Sequence, residues 1–257
     1  MESEPEFIKY PEIPHLMESL EILDEVCLEV YEKLDGGNSQ VRVYKGQILT
    51  GTRANFLYRE EFFMFPWFKD FNKWAKSNYS FYNLPENLIV FGEFLAHHTR
   101  TYKPEFVNKF FFIDLYDLDK KRFIPYEDAR KCLEDRLGIK DVIFLTPLAK
   151  GRLNLEKARK LALEPSVYSD EGKEGIIIKD YTHQKFAKLW RTSANSTKKG
   201  LIEEINKTIL SLYHIDSSIS LGILSLRVYR ELRKSGRDIS LAEISKTIKK
   251  IVDKNKV

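Results

Sequence analysis

The sequence contains few cysteines. The two that it has, Cys27 and Cys132, stand far apart and outside any Cys-x-x-Cys pattern. A disulfide framework needs several cysteines at regular spacing, and a cysteine-based zinc site needs paired ones. We therefore expect neither feature, and we expect the protein to work in a reducing compartment.

A long apolar run is also missing. A membrane-spanning helix needs about 20 consecutive apolar residues, whereas the longest candidate, FVNKFFFIDLYDL, is interrupted by charged side chains. The first residues, MESEPEFIKYPEIPHL, are acidic and contain prolines where a signal peptide has a basic and then an apolar segment. These patterns predict a soluble, cytoplasmic protein with no membrane partner.

The charge is unevenly distributed along the chain. Residues 198–257 hold thirteen Lys and Arg and seven Asp and Glu, a net charge of +6, within a total of +4 for the whole sequence. Basic helices bind polyanions by neutralising phosphates, but charged helices are also common as plain solvated surfaces. The charge alone leaves both interpretations open.

Hydrophobic patterning divides the chain near residue 196. Before it, runs rich in β-branched and aromatic residues predict strands, while YEDARKCLEDRLG and LNLEKARKLALEP predict helices that end at Gly and Pro. The strand runs are QVRVYKGQILTG, NLIVFGEFLAH, KFFFIDLYDL, KDVIFLTPLA, EGIIIKD and KFAKLW. Because no βαβ rhythm is present, we expect an α+β domain over residues 1–195, with largely antiparallel sheets and flanking helices.

The region after the polar connector TSANSTKKG has a different pattern. LIEEINKTILSLY, LGILSLRVYRELRKSG and SLAEISKTIKKIVDK carry apolar residues at helical spacing. The third segment opens with a capping box formed by Ser240 and Glu243. Residues 196–257 are thus predicted to form a small all-helical C-terminal domain.

A lysine, Lys33, ends an apolar run directly before the turn residues Asp35, Gly36 and Gly37. Asp-Gly-Gly is a strong turn signal, so this stretch by itself predicts a strand–turn–strand hairpin with a charged edge residue. One short motif is weak evidence for anything more specific. The segments that follow Lys33 along the chain make a more specific prediction possible.

Six segments occur in a defined order: EKLDGGN, GTRANF, VFGEFLAHH, KFFFIDLYD, EGIIIKD and KFAKLWR. Each is weak alone, but their order and separations together are specific. The series resembles the covalent lysine nucleotidyltransferase superfamily of polynucleotide ligases and mRNA capping enzymes. Within that superfamily it is most similar to ATP-dependent RNA ligases of the RNA ligase 2 type, over roughly residues 7 to 191. The resemblance favours a nucleotidyltransferase over the simple hairpin.

The resemblance implies a role for each matching residue. Lys33 corresponds to the nucleophile that becomes joined to AMP. Glu93 corresponds to the acidic residue that binds the ribose or a metal-bound water, and Glu174 serves the divalent metal, Mg²⁺ or Mn²⁺. The residues expected against the nucleotide are Glu32, Lys33, Leu34, Asn38, Arg53, Glu93, Ile113, Ile177, Lys179, Lys185 and Lys188. Among these, Arg53 lies on the following strand in the family, and Lys179 contacts a phosphate. The segment FIKYPEIPHL resembles the one whose backbone reads adenine.

Two positions depart from the family pattern. The family has an aromatic residue directly before the aspartate of FFFIDLYD, and here that residue is Ile113, so the purine packs on Ile113 or on its neighbours Phe112 or Phe110. The last motif is Lys-x-Lys in the family, whereas this chain offers Lys185, Lys188 and Arg191. Lys188 follows an apolar pair as the family's first lysine does, and we therefore favour it.

The chemistry of lysine agrees with this interpretation. An amine attacks only when it is neutral, and its ordinary pKa of about 10.4 makes that form rare at pH 7. Cations such as Arg53, Lys179, Lys188 and a divalent metal would favour the neutral amine and neutralise the phosphates. We therefore predict an ATP-dependent RNA ligase that joins 3′-hydroxyl and 5′-phosphate ends of RNA through a lysine–AMP intermediate.

A DNA ligase, an mRNA guanylyltransferase and a non-catalytic module of the same fold stay open as alternatives at this stage. DNA ligases and mRNA guanylyltransferases share the same chemistry but continue into a β-rich domain, where this chain continues with helical segments. NAD-dependent ligases carry a further domain upstream, and only 32 residues precede Lys33 here, so ATP is the expected donor. A non-catalytic nucleic-acid-binding module of the same fold is the alternative from another class.

Overall fold

The computed structural model describes residues 5–57, 66–96 and 100–194, together with Val228, Ile244, Ser245 and Ile248. The predicted C-terminal domain, with its capping box and the boundary at residue 196, otherwise lies outside the described residues. Val228, Ile244 and Ile248 are helical and fully buried. Within these ranges, no helix combines the length and the apolar character that crossing a membrane requires.

Two sheets dominate the described part of the chain. Their strands are β1 (Glu29–Lys33), β2 (Gly37–Tyr44), β3 (Gln47–Thr52), β4 (Leu88–Phe94), β5 (Phe110–Asp117), β6 (Arg122–Ile124), β7 (Val142–Phe144), β8 (Ala149–Lys150), β9 (Gly175–Asp180) and β10 (Lys185–Trp190). One sheet has the order β10-β9-β1-β8, and the other has the order β3-β2-β4-β5-β6, with β7 also paired to β5. Among these strands only the β5–β7 pair is parallel, which confirms the predicted α+β class with largely antiparallel sheets.

The helices of this region flank the sheets. They are α1 (Pro66–Ser77), α2 (Tyr126–Lys131), which continues as a π-helical turn over Cys132–Arg136, α3 (Leu155–Leu163) and the short α4 (Arg191–Ala194). Short 3₁₀ turns cover Leu16–Glu18, Leu20–Asp24, Tyr79–Asn83 and Pro104–Phe106. The helices predicted from YEDARKCLEDRLG and LNLEKARKLALEP correspond to α2 with its π turn and to α3.

The turn after Lys33 connects the two sheets and closes no hairpin. Strand β1 pairs with β8 and β9, whereas β2 pairs with β3 and β4. The turn is tight: a Cβ atom at Gly36 would lie 2.8 Å from the carbonyl oxygen of Phe94, and one at Gly37 would lie 2.3 Å from the ring of Trp67. Glycine is required at both positions because other atoms approach the backbone so closely.

The hairpin predicted from QVRVYKGQILTG is confirmed. Strands β2 and β3 pair antiparallel, with Tyr44 opposite Gln47. The two turn residues, Lys45 and Gly46, have φ angles of 49° and 70°. A two-residue hairpin turn with positive φ at both positions matches the twist of the flanking strands.

Side chains of the four-stranded sheet point alternately to its two sides. One side packs in a hydrophobic core, and the other faces the six-stranded sheet. Val30, Ile176 and Ile178 are buried with Ala158 and Leu161 of α3, in a core on one side of that sheet. Side chains alternate along a strand, so the residues between these on β1 and β9 face the opposite side, towards the six-stranded sheet. The candidate site lies on that opposite side.

Candidate active site

A cavity of about 470 Å³ lies between the two sheets. It is the place where most of the residues expected against the nucleotide meet. Those that line it are Glu32, Lys33, Leu34, Asn38, Arg53, Glu93, Ile113, Ile177, Lys179 and Lys188. A volume of this size falls in the range of small-molecule sites, which span about 300–1,000 Å³.

Lys33, the last residue of β1, is held by a carboxylate and an aromatic ring. Its Nζ lies 2.5 Å from Oε2 of Glu174 and 4.5 Å from the centroid of the Trp190 ring. The β1–β9 register explains the ion pair, because Lys33 stands opposite Gly175, the residue after Glu174. Burial raises the pKa of Glu174, and Lys33 opposes that rise. Glu174 does not line the cavity itself, but it reaches the lysine that does.

Glu93 lies on β4, opposite Asn38 of β2. Its Oε1 accepts a hydrogen bond from the backbone N–H of Gly36 at 3.1 Å. Burial raises the pKa of the Glu93 carboxyl to about 7, and the nearby Glu174 adds to the rise, while Lys33 opposes it. Glu93 and Glu174 are thus two partly buried carboxylates that share Lys33 as a nearby cation. Such a pair attracts further positive charge.

Lys179 lines the cavity from β9 as part of a buried polar network. Its Nζ lies 2.8 Å from Oδ2 of Asp114 and 2.8 Å from the carbonyl oxygen of Ile113. Asp114 also accepts hydrogen bonds from the hydroxyls of Tyr10, at 2.5 Å, and Tyr181, at 2.6 Å. Burial lowers the pKa of Lys179, and Asp114 opposes that change. Asp114, which fixes the position of Lys179, has no role among the sequence-based predictions.

Ile113 faces the cavity because β5 bulges at this residue. Phe91 pairs with Asp114 and Gly92 pairs with Phe112, which leaves Ile113 unpaired. A bulge of this kind re-aims a side chain. Phe110 and Phe112, the alternative stacking residues, do not line the cavity. They are fully buried against other rings: Phe110 against Phe71 and Trp74, and Phe112 against Tyr126 and Phe144.

Aromatic residues from two further segments line the cavity: α1, which carries none of the six motifs, and FIKYPEIPHL, the segment expected to read adenine. Trp67 and Phe68 from α1 and Tyr10 from the N-terminal segment line the cavity. The N-terminal segment reaches it because Lys188 of β10 donates a backbone hydrogen bond to Pro14. A signal for α1 was present, since Trp67, Phe71 and Trp74 follow helical spacing.

The last motif contributes Lys188 to the cavity. Strand alternation separates it from Lys185, whose exposed side chain lies outside the cavity and pairs with Glu25 at 3.2 Å. Lys185 is therefore the one expected nucleotide-contacting residue that does not line the cavity. Arg191 donates to the carbonyl oxygens of Leu163 and Glu164, so it anchors the end of α3.

Arg53 lies at the rim of the cavity rather than on a strand. Strand β3 ends at Thr52, and Arg53 is in the turn that follows. The backbone N–H of Thr52 donates to Asn55 at 2.8 Å and closes this turn. The exposed Arg53 thus adds a positive charge at the opening of the cavity, on the side of the six-stranded sheet.

Comparisons with known proteins agree with this geometry. The sequence model of a family described as RNA ligase matches residues 27–194. The chain belongs to the RNA ligase family. A comparison of this family member with curated protein sequences finds no match.

Solved structures of Naegleria gruberi RNA ligase share its fold. A glutamate-to-alanine variant of that ligase with ATP and Mn superposes with a TM-score of 0.58 at 22% identity, over 73% of this chain and 57% of that chain. A lysine-to-methionine variant with AMP and Mn gives a TM-score of 0.57 at 22% identity, over 74% and 57% of the two chains. This chain therefore spans less than two thirds of the length of those ligase chains.

Proposed function

We propose that this chain is an ATP-dependent RNA ligase that joins RNA 3′-hydroxyl and 5′-phosphate ends through a lysine–AMP intermediate on Lys33. The observation that carries the proposal is the position of the Lys33 amine, in one cavity with Glu93, Lys179 and Lys188, each from a different motif. Membership of the RNA ligase family supports the same activity. The related ligase was solved with ATP, AMP and Mn, which supports ATP as the donor.

The first step joins Lys33 to the nucleotide. The nitrogen attacks the α-phosphorus of ATP, an N–P bond forms, and the bond to the β-phosphate breaks with release of pyrophosphate. Lys33 gives up one proton to become a nucleophile, and a second leaves the nitrogen once the bond has formed. Lys179 and Lys188 provide positive charge for the phosphates as negative charge builds on them.

The next two steps use RNA. A 5′-phosphate oxygen attacks the phosphorus of the lysine-bound AMP, the N–P bond breaks, and Lys33 is regenerated while the RNA carries the adenylate. A 3′-hydroxyl then attacks the 5′-phosphorus, and AMP leaves as the phosphodiester forms. The same cavity serves each step, because every reaction involves the adenylate.

The donor set fits a magnesium or manganese ion. Glu93 and Glu174 supply carboxylate oxygens, the ligands that these ions prefer. Burial raises the pKa of both carboxyls, and a bound cation would offset that effect. A divalent cation held there would supply positive charge beside Lys33 and favour its neutral amine. The cation and Lys33 would compete for Glu174.

Covalent labelling tests the proposal. Purified protein is incubated with α-labelled ATP or GTP and Mg²⁺, and the labelled protein is then given RNA or DNA with a 5′-phosphate and a 3′-hydroxyl. We expect labelling by ATP, release of the label by RNA ends, and sealed RNA. Labelling by GTP would indicate a guanylyltransferase, sealing of DNA alone would indicate a DNA ligase, and no labelling would indicate a non-catalytic module.

A further inference from the structure

Two exposed tyrosines form a stacked pair outside the cavity. Tyr79 is 77% exposed and Tyr82 is 50% exposed, and they are the only two aromatic residues among the large exposed hydrophobics of the described chain. Their ring centroids lie 6.4 Å apart with an interplanar angle of 17°. Both belong to the 3₁₀ turn Tyr79–Asn83, and residues three apart eclipse one another in a 3₁₀ turn. The backbone therefore aligns the two rings.

The turn that carries this pair is firmly held. Phe81, between the two tyrosines in sequence, is fully buried and contacts the Trp74 ring at 5.7 Å. The side chain of Asn78 accepts hydrogen bonds from the backbone N–H and the hydroxyl of Ser80. The same side chain donates to the carbonyl oxygen of Lys140 at 2.6 Å. The two exposed rings are thus presented on a rigid support.

A row of exposed lysines follows α1, the helix whose first turn also contributes to the cavity lining. Lys69, Lys73 and Lys76 are exposed at positions i, i+4 and i+7 of the helix, a spacing that places them on one face. They make no ion pair or hydrogen bond with the residues that the structure describes. Asp70 is the one acidic residue of α1, and it stands three positions before Lys73, as its neighbour on the same exposed surface.

One end of α1 lies at the cavity and the other end lies next to the tyrosine pair. Trp67 and Phe68, in its first turn, line the cavity, and the tyrosine turn begins two residues after its last residue, Ser77. At 1.5 Å per residue, the distance from Phe68 to Lys76 along the helix is about 12 Å. An extended strand of a few nucleotides covers that length.

We propose that α1 and the Tyr79–Tyr82 pair bind single-stranded RNA, with the lysines on its phosphates and the tyrosines stacked on a base, while the end of that RNA lies in the cavity. This inference rests on the proposed function, since it assumes that the cavity acts on RNA ends. Positive side chains that follow a backbone, together with aromatic rings that stack on bases, are the features that bind single strands.

Two sets of substitutions in the full-length protein separate the two contributions. Tyr79→Ala with Tyr82→Ala removes stacking, and Tyr79→Phe with Tyr82→Phe retains the rings. The second set replaces Lys69, Lys73 and Lys76 with Ala. Its control replaces Lys157 and Lys160 of α3, two exposed lysines on the helix that packs behind the four-stranded sheet. Melting temperatures identify any variant that fails to fold.

Binding of labelled single-stranded RNA is measured by fluorescence anisotropy over a series of salt concentrations. The alanine pair should weaken binding about 5- to 100-fold, as expected for the loss of base stacking, with an unchanged salt slope and near-normal binding by the phenylalanine pair. The α1 lysine variant should lower the slope by about 0.7 for each lost phosphate contact. The α3 variant should have no such effect.

Adenylation by ATP, measured on the same proteins, distinguishes this inference from the proposed function. All variants should form the lysine–AMP adduct at the wild-type rate and differ only in RNA binding and sealing. Folded tyrosine and α1 lysine variants that bind and seal RNA as the wild type does would overturn the inference, while leaving the proposed activity intact. An inactive wild type whose RNA binding still depends on these residues would overturn the proposed activity but support the binding surface.

Discussion

Nζ of Lys33 lies 2.5 Å from Oε2 of Glu174, although 141 residues separate them along the chain. The β1–β9 register creates this contact, since it sets Lys33 opposite Gly175. The contact matters for the proposed reaction, because Glu174 holds the amine that would attack the α-phosphorus. In the proposed adenylation Lys33 would have to leave Glu174, and a divalent cation is the candidate that would bind this carboxylate instead.

Replacing Glu174 with Ala tests this relationship. The change removes one of the two proposed metal-binding carboxylates, so adenylation should slow by about 100-fold or more, the effect of losing several kcal/mol of metal-dependent stabilisation. The matched control is Glu171→Ala, which removes an exposed carboxylate that accepts a hydrogen bond from Thr101. Adenylation rates are measured across a Mg²⁺ titration. Equal rates in the Glu174 variant and the wild type would show that the metal binds elsewhere.

The pH dependence of stability tests the environment of Glu93. Its pKa is raised from 4.5 to about 7, so the folded state binds the proton more tightly than the unfolded state does. The resulting stabilisation is complete below about pH 4.5 and is lost as the pH rises through 7. The upper limit of this stabilisation is about 3 kcal/mol, and screening by solvent in the open cavity lowers it. Glu93→Gln should remove this dependence, which denaturant titrations in EDTA between pH 4.5 and 8 would measure. If the free energy of unfolding changes with pH in the same way for both proteins, the raised pKa of Glu93 is contradicted.

Replacing Asp114 with Asn tests the network that positions Lys179. The change leaves the buried lysine charge without its ionic partner, so we expect a loss of about 3–5 kcal/mol in the free energy of unfolding. Asp119→Asn, on the exposed turn after the same strand, should change stability by at most about 0.5 kcal/mol. A second substitution, Lys179→Met, should recover much of the stability of the Asp114 variant without restoring adenylation. Loss of stability that Lys179→Met does not recover would argue against the pair.

Trp190 stands two residues after Lys188, where the family has its second lysine. Its ring lies 4.5 Å from Nζ of Lys33, and its Nε1 donates to Nε2 of His15 at 3.2 Å. Trp190→Ala should slow adenylation about tenfold, the effect of losing a cation–π contact worth about 1–2 kcal/mol, whereas Trp190→Phe should retain most of the rate. Single-turnover adenylation over a range of ATP concentrations measures both. Equal rates in the alanine and phenylalanine variants would show that the ring does not position Lys33.

Local sequence patterns predicted most of the strands and the β2–β3 hairpin, because alternation and turn residues act over a few positions. They could not predict that β1 and β2 belong to different sheets, since the partners of β1, which are β8 and β9, lie more than 100 residues away. The same limit applies to the bulge at Ile113, which appears only once β4 and β5 are in register. The six motifs placed ten of the expected residues around the cavity. Trp67, outside the motifs, reaches the site through tertiary packing, and so does the contact between Asp114 and Lys179, which belong to different motifs.

Mass-spectrometric mapping of the AMP adduct tests the central proposal most directly. The protein is incubated with ATP and Mg²⁺ and digested, and each peptide is examined for a covalently bound AMP. We expect the adduct on the nitrogen of Lys33, and none in the folded Lys33→Ala and Lys33→Arg variants, because arginine stays protonated and cannot attack. An adduct on another residue, or undiminished labelling of either variant, would contradict the assignment of Lys33 as the nucleophile.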